Sequence, residues 1–492
     1  MTIEDAMNEY DDAITNDAKE KKTQSQVLVG LASDMELFHN ELGDSFAKVR
    51  VGNHFEVWPI RSKTLRLILT SRYLNITTDK APGGQAMEDA LMVLEVRAQF
   101  HGKRETVHTR IAEIDDSIFL DLCNSDWQVV QIDSNGWRLL VDSPVHFSRS
   151  KTMKSLPIPV VGGSVEELKQ FINYKDEDNF KLIIAWLLAT FKENSPFPIL
   201  TIQGEQGAAK STTTKILRSI IDPSQLPLRG LPKDERDLSI AAKHTWILAF
   251  DNLSGFSAAT SDALCKLSTG GGLATRKLHS DDEEVVFNSM RPTILNGIED
   301  IAERHDLLDR SIIINLPSIS DSERNDEKEL WEQFHIKHSR VLGALCEVVS
   351  KAIKEFPTTK LDNKPRLADF ALWMTAAEKA LGWNEREFID IYDRNREQAI
   401  DQGIELDPFA LAIVELVEKN SVWVGNATQL VEQAANYTDG ETRKSKEWPT
   451  PRKVRNRLRR INPALKKKNI LYIEWENRKT KTMKLERLSK IT

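Results

Sequence analysis

The stretch Ile202-Gln203-Gly204-Glu205-Gln206-Gly207-Ala208-Ala209-Lys210-Ser211-Thr212 joins an apolar run, Phe197 to Gln203, to a helical pattern, Lys210 to Ile221. Small residues between a strand and a helix let backbone N–H groups curl around phosphate oxygens, and the helix N-terminus adds positive potential. A lysine at the end of such a loop reaches the β- and γ-phosphates of a nucleotide, and the hydroxyl after it ligates Mg²⁺. The spacing assigns Gly204, Glu205, Gln206, Gly207, Ala208, Ala209, Lys210, Ser211 and Thr212 to binding ATP, and Ser211 to the metal. One position departs from the pattern G-x-x-x-x-G-K-[ST]: Ala209 stands where the second glycine is expected. A negative φ there costs nothing, whereas a positive φ costs about 1 kcal/mol.

Downstream, Trp246 to Phe250 is an apolar strand that ends in Asp251-Asn252. Beside a P-loop, Asp251 is expected to hold the water shell of Mg²⁺. Asn252 replaces the glutamate that many such ATPases use to orient the attacking water. An amide positions water but is a poor base, which leaves Asp281, Asp282 and Glu283 as further candidates. Arg291-Pro292-Thr293-Ile294-Leu295-Asn296-Gly297 is a third strand; placed between the first two, it would turn Asn296 toward the γ-phosphate. A turn asparagine before glycine is the plainer reading. Arg310 precedes a fourth strand, Ser311 to Leu316, and from the domain edge could reach a neighbouring subunit's nucleotide. An ion pair with Asp306 or Asp309 competes with that role, and Arg304 is the alternate. The catalytic candidates are thus Lys210, Asp251, Asn252, Asn296 and Arg310. Short strands separated by helices imply a parallel sheet in a three-layer α/β domain.

Between the second and third strands, Gly270-Gly271-Gly272 stops a helix. Ala274 to Leu278 and Val285 to Phe287 can then pair as a hairpin tipped by His279-Ser280-Asp281-Asp282. Arg276, Lys277 and His279 at or near a tip suit sequence-independent contact with a phosphate backbone; a solvated surface hairpin is the alternative.

In this order the P-loop GEQGAAKS, the acidic strand LAFDN, the motif KLSTGGGLATRKL and the asparagine strand ILNGI resemble superfamily 3 helicases. These are the AAA+ helicases of viruses, phages and mobile elements, and the likeness is strongest to the prophage and plasmid branch that accompanies primase modules. The match spans about residues 160–320. It implies a P-loop AAA+ core, a homo-hexameric ring, and translocation on single-stranded DNA at a fork. By motif, the pore arginine and lysine carry over to Arg276 and Lys277, and the sensor asparagine to Asn296. Ala209 and Asn252 are the departures. The same residues also fit a DNA-bound ATPase switch, an initiator, loader or defence ATPase that assembles on DNA without unwinding it.

The C-terminal region has its own logic. Asp407-Pro408 and Thr450-Pro451 are helix starts, and Asn426 opens another helix. After Thr450, Val454, Leu458, Ile461 and Leu465 form one apolar stripe. The remaining faces carry Arg452, Lys453, Arg455, Arg457, Arg459 and Arg460. Ile470 to Glu476 and Thr482 to Leu488 pair around Asn477 to Lys481, which includes Lys479. Helix, helix, basic helix, basic hairpin resembles the winged helix that ends many of these helicases, with Arg452, Lys453, Arg455, Arg459, Lys479 and Lys481 facing DNA.

The 492 residues carry a net charge of −7, which alone would argue against a nucleic-acid partner. The charge is uneven. Gly440 to Thr492 hold 18 Lys/Arg and five Asp/Glu, a net of +13, which leaves −20 on residues 1–439. Hydrophobic residues at 40% and charged residues at 29% fit a globular chain. No apolar run approaches the ~18 residues that span a membrane, and MTIEDAMNEYDD lacks the basic start and apolar core of a signal peptide. Cys123, Cys265 and Cys346 lie far apart, with no CxxC pair, so a reducing cytoplasm is expected. No primase signature occurs in residues 24–150; a separate primase would supply priming. The expected order is an acidic disordered tail (1–23), a mixed α+β domain (24–150), a helical collar (160–195), the ATPase core (196–320), a helical lid region (321–400) and a winged helix (406–492). Two helices are expected over Ser164 to Tyr174 and Glu177 to Lys192. Arg366 is expected to pair with Asp369.

Overall fold

The computed structural model describes residues 22–77, 80–232, 234–253, 255, 257–276, 284–287, 290–297, 304–320, 322, 324, 326–405, 407–445, 448–477 and 480–488. Its internal contacts divide the chain into two compact units. The first holds the residues up to Arg110 with 124–129 and 139–148; the second holds 111–123, 130–138 and 149–492.

In the first unit a reciprocal capping box between Thr23 and Gln26 starts α1 (Gln24–Gly30). There follow β1 (Glu36–His39), β2 (Ser45–Val51), β3 (His54–Pro59), α2 (Lys63–Thr77), α3 (Gly84–Phe100), β4 (Lys103–Arg104) and β5 (Val107–His108). A hairpin turns at Gly52-Asn53, with Val51 opposite His54. The sheet order is β3-β2-β1-β4, and its core is Leu28, Ala47, Val49, Leu65, Leu91 and Leu94. Next in the chain come β6 (Ile111–Ile114), β7 (Ser117–Asp121), β8 (Val129–Asp133) and β9 (Gly136–Leu140), which fall wholly or mostly in the second unit, and the short β10 (His146–Phe147), which belongs to the first. The turn at Asn135 is closed by its own N–H donating to the Asp133 carboxylate, 2.8 Å.

The second unit contradicts the first of the two helices expected before the P-loop. A capping box at Ser164 and Glu167 begins a turn, but only Val165–Gln170 forms, as 3₁₀-helix. Tertiary bonds take the chain out of the helix: the Asn173 amide donates to Ala208 O (3.1 Å) and Pro317 O (2.7 Å). The second helix, α4 (Glu177–Ala189), is capped by Asp176 and buried along Leu182 to Ala189. Three buried indoles pin its end. Trp186 donates to Pro198 O, Trp246 to Thr190 O and Trp373 to Leu188 O, at 3.0–3.1 Å.

The α/β core then runs β11 (Ile199–Gln203), α5 (Lys210–Ile221), α6 (Glu235–His244), β12 (Leu248–Leu253), α7 (Ala258–Thr269), β13 (Leu273–Arg276), β14 (Glu284–Phe287), β15 (Thr293–Gly297), α8 (His305–Leu308) and β16 (Ser311–Asn315). All pairings of the main sheet are parallel, in the order β12-β15-β11-β16. Beyond β12 a one-residue bridge from Arg229 to Phe250 adds a vestigial fifth strand. The other edge, β16, is covered by a side chain: Asn395 accepts from Ile313 N (3.0 Å) and donates to Ile313 O (2.7 Å). That satisfies edge groups that would otherwise be left bare. β13 and β14 form the expected antiparallel hairpin, with Leu273 opposite Phe287 and Arg276 opposite Glu284; its tip lies outside the described residues.

Helices α9 (Glu327–Glu355), α10 (Ala368–Leu381) and α11 (Glu387–Glu405) follow. The chain ends with α12 (Pro408–Asn420), β17 (Val422–Gly425), α13 (Ala427–Ala434), α14 (Pro451–Lys467), β18 (Ile470–Asn477) and β19 (Thr480–Arg487), in an antiparallel sheet ordered β17-β19-β18. The apolar stripe of α14 is buried as expected, and its core includes Ile400 and Ile404 of α11. No described helix is long and apolar enough to cross a membrane.

On α9, His338 is buried against Phe334 and its Nε2 donates to Ile220 O at the end of α5, 3.2 Å. Burial lowers its pKa to about 4 from 6.5. The unfolded chain therefore binds the proton first as pH falls. Stability is expected to drop by about 1.4 kcal/mol per pH unit between 6.5 and 4, and His338→Gln should flatten that slope in denaturant titrations. An unchanged slope would contradict the assignment.

Candidate nucleotide site and nucleic-acid interface

The sheet register brings three strand ends to one edge. Ile202 lies beside Asn296 in the ladder, and Phe250 beside Leu295. The P-loop, Asp251 and Asn296 therefore meet outside the carboxyl ends of the parallel strands, where open α/β sheets bind ligands. Gly204 has φ +151°, and a Cβ there would lie 2.7 Å from Leu316 O, so only glycine fits. Gly207 has φ +88°. Ala209 is left-handed at φ +57°, ψ +28°, as the N-cap of α5. The alanine thus carries the conformation that glycine adopts freely, at a cost of about 1 kcal/mol. Glu205, Gln206 and Gly207 are exposed and Ala208 is buried.

Lys210 Nζ folds back on the loop and donates to Gly204 O and Glu205 O, both 2.7 Å. Burial lowers its pKa against the pull of Asp251. Ser211 Oγ donates to both carboxylate oxygens of Asp251, at 3.0 and 3.1 Å. This hydroxyl–carboxylate pair is a donor set that suits Mg²⁺, which binds through few protein ligands and completes its shell with water and phosphates. No cluster of three or more His, Cys, Asp or Glu with metal-ligand geometry occurs among the described residues.

A β-bulge between Phe250 and Leu253 re-aims the end of β12, with Asn252 at φ +56°. Asn296 is 1% exposed. Its Oδ1 accepts from Asn252 N (3.3 Å), and its Nδ2 donates to Thr214 Oγ1 (2.9 Å), which donates to Lys210 O (2.9 Å). A hydrogen-bond chain thus ties the first turn of α5 to the acidic strand end. Thr214 belongs to no motif; its only signal in the sequence is its place one helical turn after Lys210.

A cavity of 570 Å³ opens beside the loop. Gly207, Ala209 and Thr212 line it, together with Phe171, Ile172, Pro317, Ile319 and Arg324. Its volume suits a nucleoside-sized ligand, and its lining mixes apolar side chains such as Phe171, Ile172 and Ile319 with polar ones such as Asn173, Thr213 and Glu327. Ser318 Oγ donates to Glu205 Oε2, 2.7 Å, and so holds the loop from the far side.

Arg310 lies elsewhere. Ser311 pairs with Ile199 and Asn315 with Gln203. At about 3.3 Å per residue, Arg310 sits roughly 17 Å or more along the sheet from its own P-loop, out of reach of its own nucleotide. Its Nη1 donates to Asp306 O, 2.7 Å. The carboxylates proposed for it serve other arginines: Asp306 pairs with Arg304, and Asp309 pairs with Arg366 and Arg396. Arg366 therefore binds Asp309 rather than the expected Asp369, because the loop before α10 turns toward the start of β16. Arg304 also pairs with Asp262, 2.8 Å.

In the C-terminal module Arg452 and Lys453 are exposed and Arg455 is half-buried. Arg457 instead forms a two-pronged bond to Asp407, the N-cap of α12, at 2.9 and 3.1 Å. Arg459 reaches Glu474 on β18, 2.6 Å. Lys481 lies opposite Glu476 in the hairpin. Lys277, His279, Asp281, Asp282, Glu283 and Lys479 lie outside the described residues.

Two family models match this chain in succession. Residues 165–389 match the actinomycete integrative conjugative element replication protein, AICE RepA, and residues 409–492 match the AICE RepA C-terminal domain. Both segments of the second unit are thus similar to a replication protein of mobile elements. Among solved structures, an SCCmec type IV Cch active helicase is 12% identical, with a TM-score of 0.48, over 92% of this chain and 93% of that one. The NrS-1 C-terminal region in its A-form apo structure is 14% identical, with a TM-score of 0.39, over 95% of this chain and 100% of that one. No curated protein matches the chain.

If the Thr214–Asn296 link sets the geometry of the site, Thr214→Val should leave nucleotide binding within about twofold and cut turnover roughly tenfold or more. Equal turnover in the variant would show that the link is structural.

Proposed function

We propose that this protein is an ATP-driven DNA helicase acting in the replication of a mobile element, with its catalytic sites between subunits of a homo-hexameric ring. The observation that carries the reading is the meeting of Lys210, Ser211, Asp251 and Asn296 at one sheet edge beside a nucleoside-sized cavity. The match to a replication-protein family supports the same role.

In this reading the phosphates draw Lys210 off its two loop carbonyls, and the base enters the cavity against Phe171 and Ile172. Ser211 and Asp251 would hold Mg²⁺, which would supply neutralising positive charge to the nucleotide's phosphates. Asn296 holds Asn252 and the end of the acidic strand in register with the P-loop helix. Arg310, remote from its own loop, serves a neighbouring subunit's nucleotide. The β13–β14 hairpin, with Arg276, Lys277 and His279, follows single-stranded DNA. The C-terminal module acts as a winged helix: Arg452, Lys453, Arg455 and Arg459 on α14, with Lys479 and Lys481 on the wing, engage the duplex ahead of a fork. Priming falls to a separate primase.

One observation favours a second reading, a DNA-bound ATPase switch without unwinding. Asn252, not a carboxylate, follows Asp251, and slower hydrolysis suits a timer. Strand displacement on forked DNA separates the two. The helicase reading expects ATP-dependent release of the displaced strand, abolished by Lys210→Ala. Robust ATP turnover with no strand release at either fork polarity would overturn it.

The basic module makes its own prediction. Each phosphate contact contributes about 0.9 to the slope of log affinity against log salt. Replacing Arg452, Lys453 and Arg455 together with alanine should reduce the duplex-binding slope by up to about 3. An unchanged slope would remove α14 from the interface.

A further inference from the structure

The side chain of Arg310 is poorly determined by its own bonds. Nη1 donates to Asp306 O, and Nε is buried with no hydrogen-bond partner among the described residues. A group meant to meet phosphate charge across a subunit boundary must still be held in place, because small misplacements are costly. Its backbone is the part that is fixed. Arg310 N–H donates to Leu307 O (3.0 Å), and Arg310 O accepts from Ile199 N (2.9 Å). The residue before it is held harder still. Asp309 Oδ2 accepts from Arg366 Nη1 (2.9 Å), and Oδ1 accepts from Arg396 Nη2 (2.8 Å).

The two arginines come from different elements. Arg366 lies in the loop before α10, and Arg396 lies on α11. That helix is itself bolted to β16, one residue away from Arg396, by the paired Asn395–Ile313 bonds. Arg396 is 12% exposed at its side chain and Asp309 23%, so their bond is weakly screened. Arg366, at 43%, is the weaker jaw.

We propose that Asp309 is a positioning residue: clamped by Arg396 and Arg366, it fixes the start of β16 so that Arg310 is presented to the neighbouring subunit's nucleotide. This rests on the reading of Arg310 as a group acting in trans. The clamp acts on a neighbour's catalytic step and leaves the subunit's own P-loop intact, which separates it from a purely structural ion pair.

The test is turnover by full-length protein, alone and in mixtures with Lys210→Ala subunits, which lack a working P-loop but keep Arg310 and its clamp. Asp309→Asn alone should lose roughly tenfold or more in kcat, with KM for ATP unchanged. Mixed with Lys210→Ala, it should regain turnover, because its sound P-loops then meet properly held arginines. Should Asp309→Asn fail to bind nucleotide, Arg366→Ala, at the exposed jaw, carries the test, with a loss of severalfold in kcat and the same rescue. Unchanged kcat, or a loss that mixing does not restore, overturns the proposal. Arg310→Ala is run beside them. If it is inactive while Asp309→Asn is normal, only the clamp fails. If it is normal, the reading of Arg310 fails and the clamp with it.

Discussion

The pairing of β15 between β11 and β12 is the constraint on which the site depends. Parallel strands in register bring their carboxyl ends to one line, so a phosphate loop, an acidic residue and an amide from distant parts of the sequence converge without long side chains. The bulge at Asp251-Asn252 refines that line, and the Asn296–Thr214 link fastens it to α5. A slip of one residue would turn Asn296 to the other face and break the link. The opposite ends of the same strands hold Arg310. One sheet thereby separates the loop, acidic and amide groups at its carboxyl edge from Arg310 at its opposite edge.

Much of this was legible in the sequence because it is local. The P-loop pattern, the apolar runs before Asp251 and Asn296 and the stripe Val454–Leu458–Ile461–Leu465 are periodic or motif-bound, and the elements form where those signals stand. The failures are tertiary. Ser164 to Tyr174 has helical composition, but Asn173 is drawn to Ala208 O and Pro317 O, and only a 3₁₀ turn survives. Arg366 has Asp369 nearby in sequence but meets Asp309 in space. Thr214, Phe171 and Ile172 carry no motif. The sequence allows Ala209 either sign of φ, and the structure takes the left-handed one. That choice preserves the loop geometry at the expense of local strain.

Charge distribution follows the same division. The +13 of residues 440–492 is not all available to a polyanion, since Arg457 is spent on the Asp407 cap and Arg459 is shared with Glu474. The exposed cations that remain lie along α14, with Arg452 and Lys453 at its start, Arg460 in its middle and Lys466 and Lys467 at its end. If the proposed DNA contacts are right, an acidic body with a few placed cations directs DNA to them and repels it elsewhere. Net charge conceals this; the positions of the ion pairs reveal it.

The most direct measurement is single-particle imaging of the full-length protein with a non-hydrolysable ATP analogue and forked DNA. A closed ring is expected. Its nucleotide phosphates should lie on Gly204 to Ser211, with a neighbouring subunit's Arg310 at the γ-phosphate and single-stranded DNA against the β13–β14 hairpin. Nucleotide bound with no second subunit at the γ-phosphate, or DNA that avoids both the hairpin and α14, would contradict it.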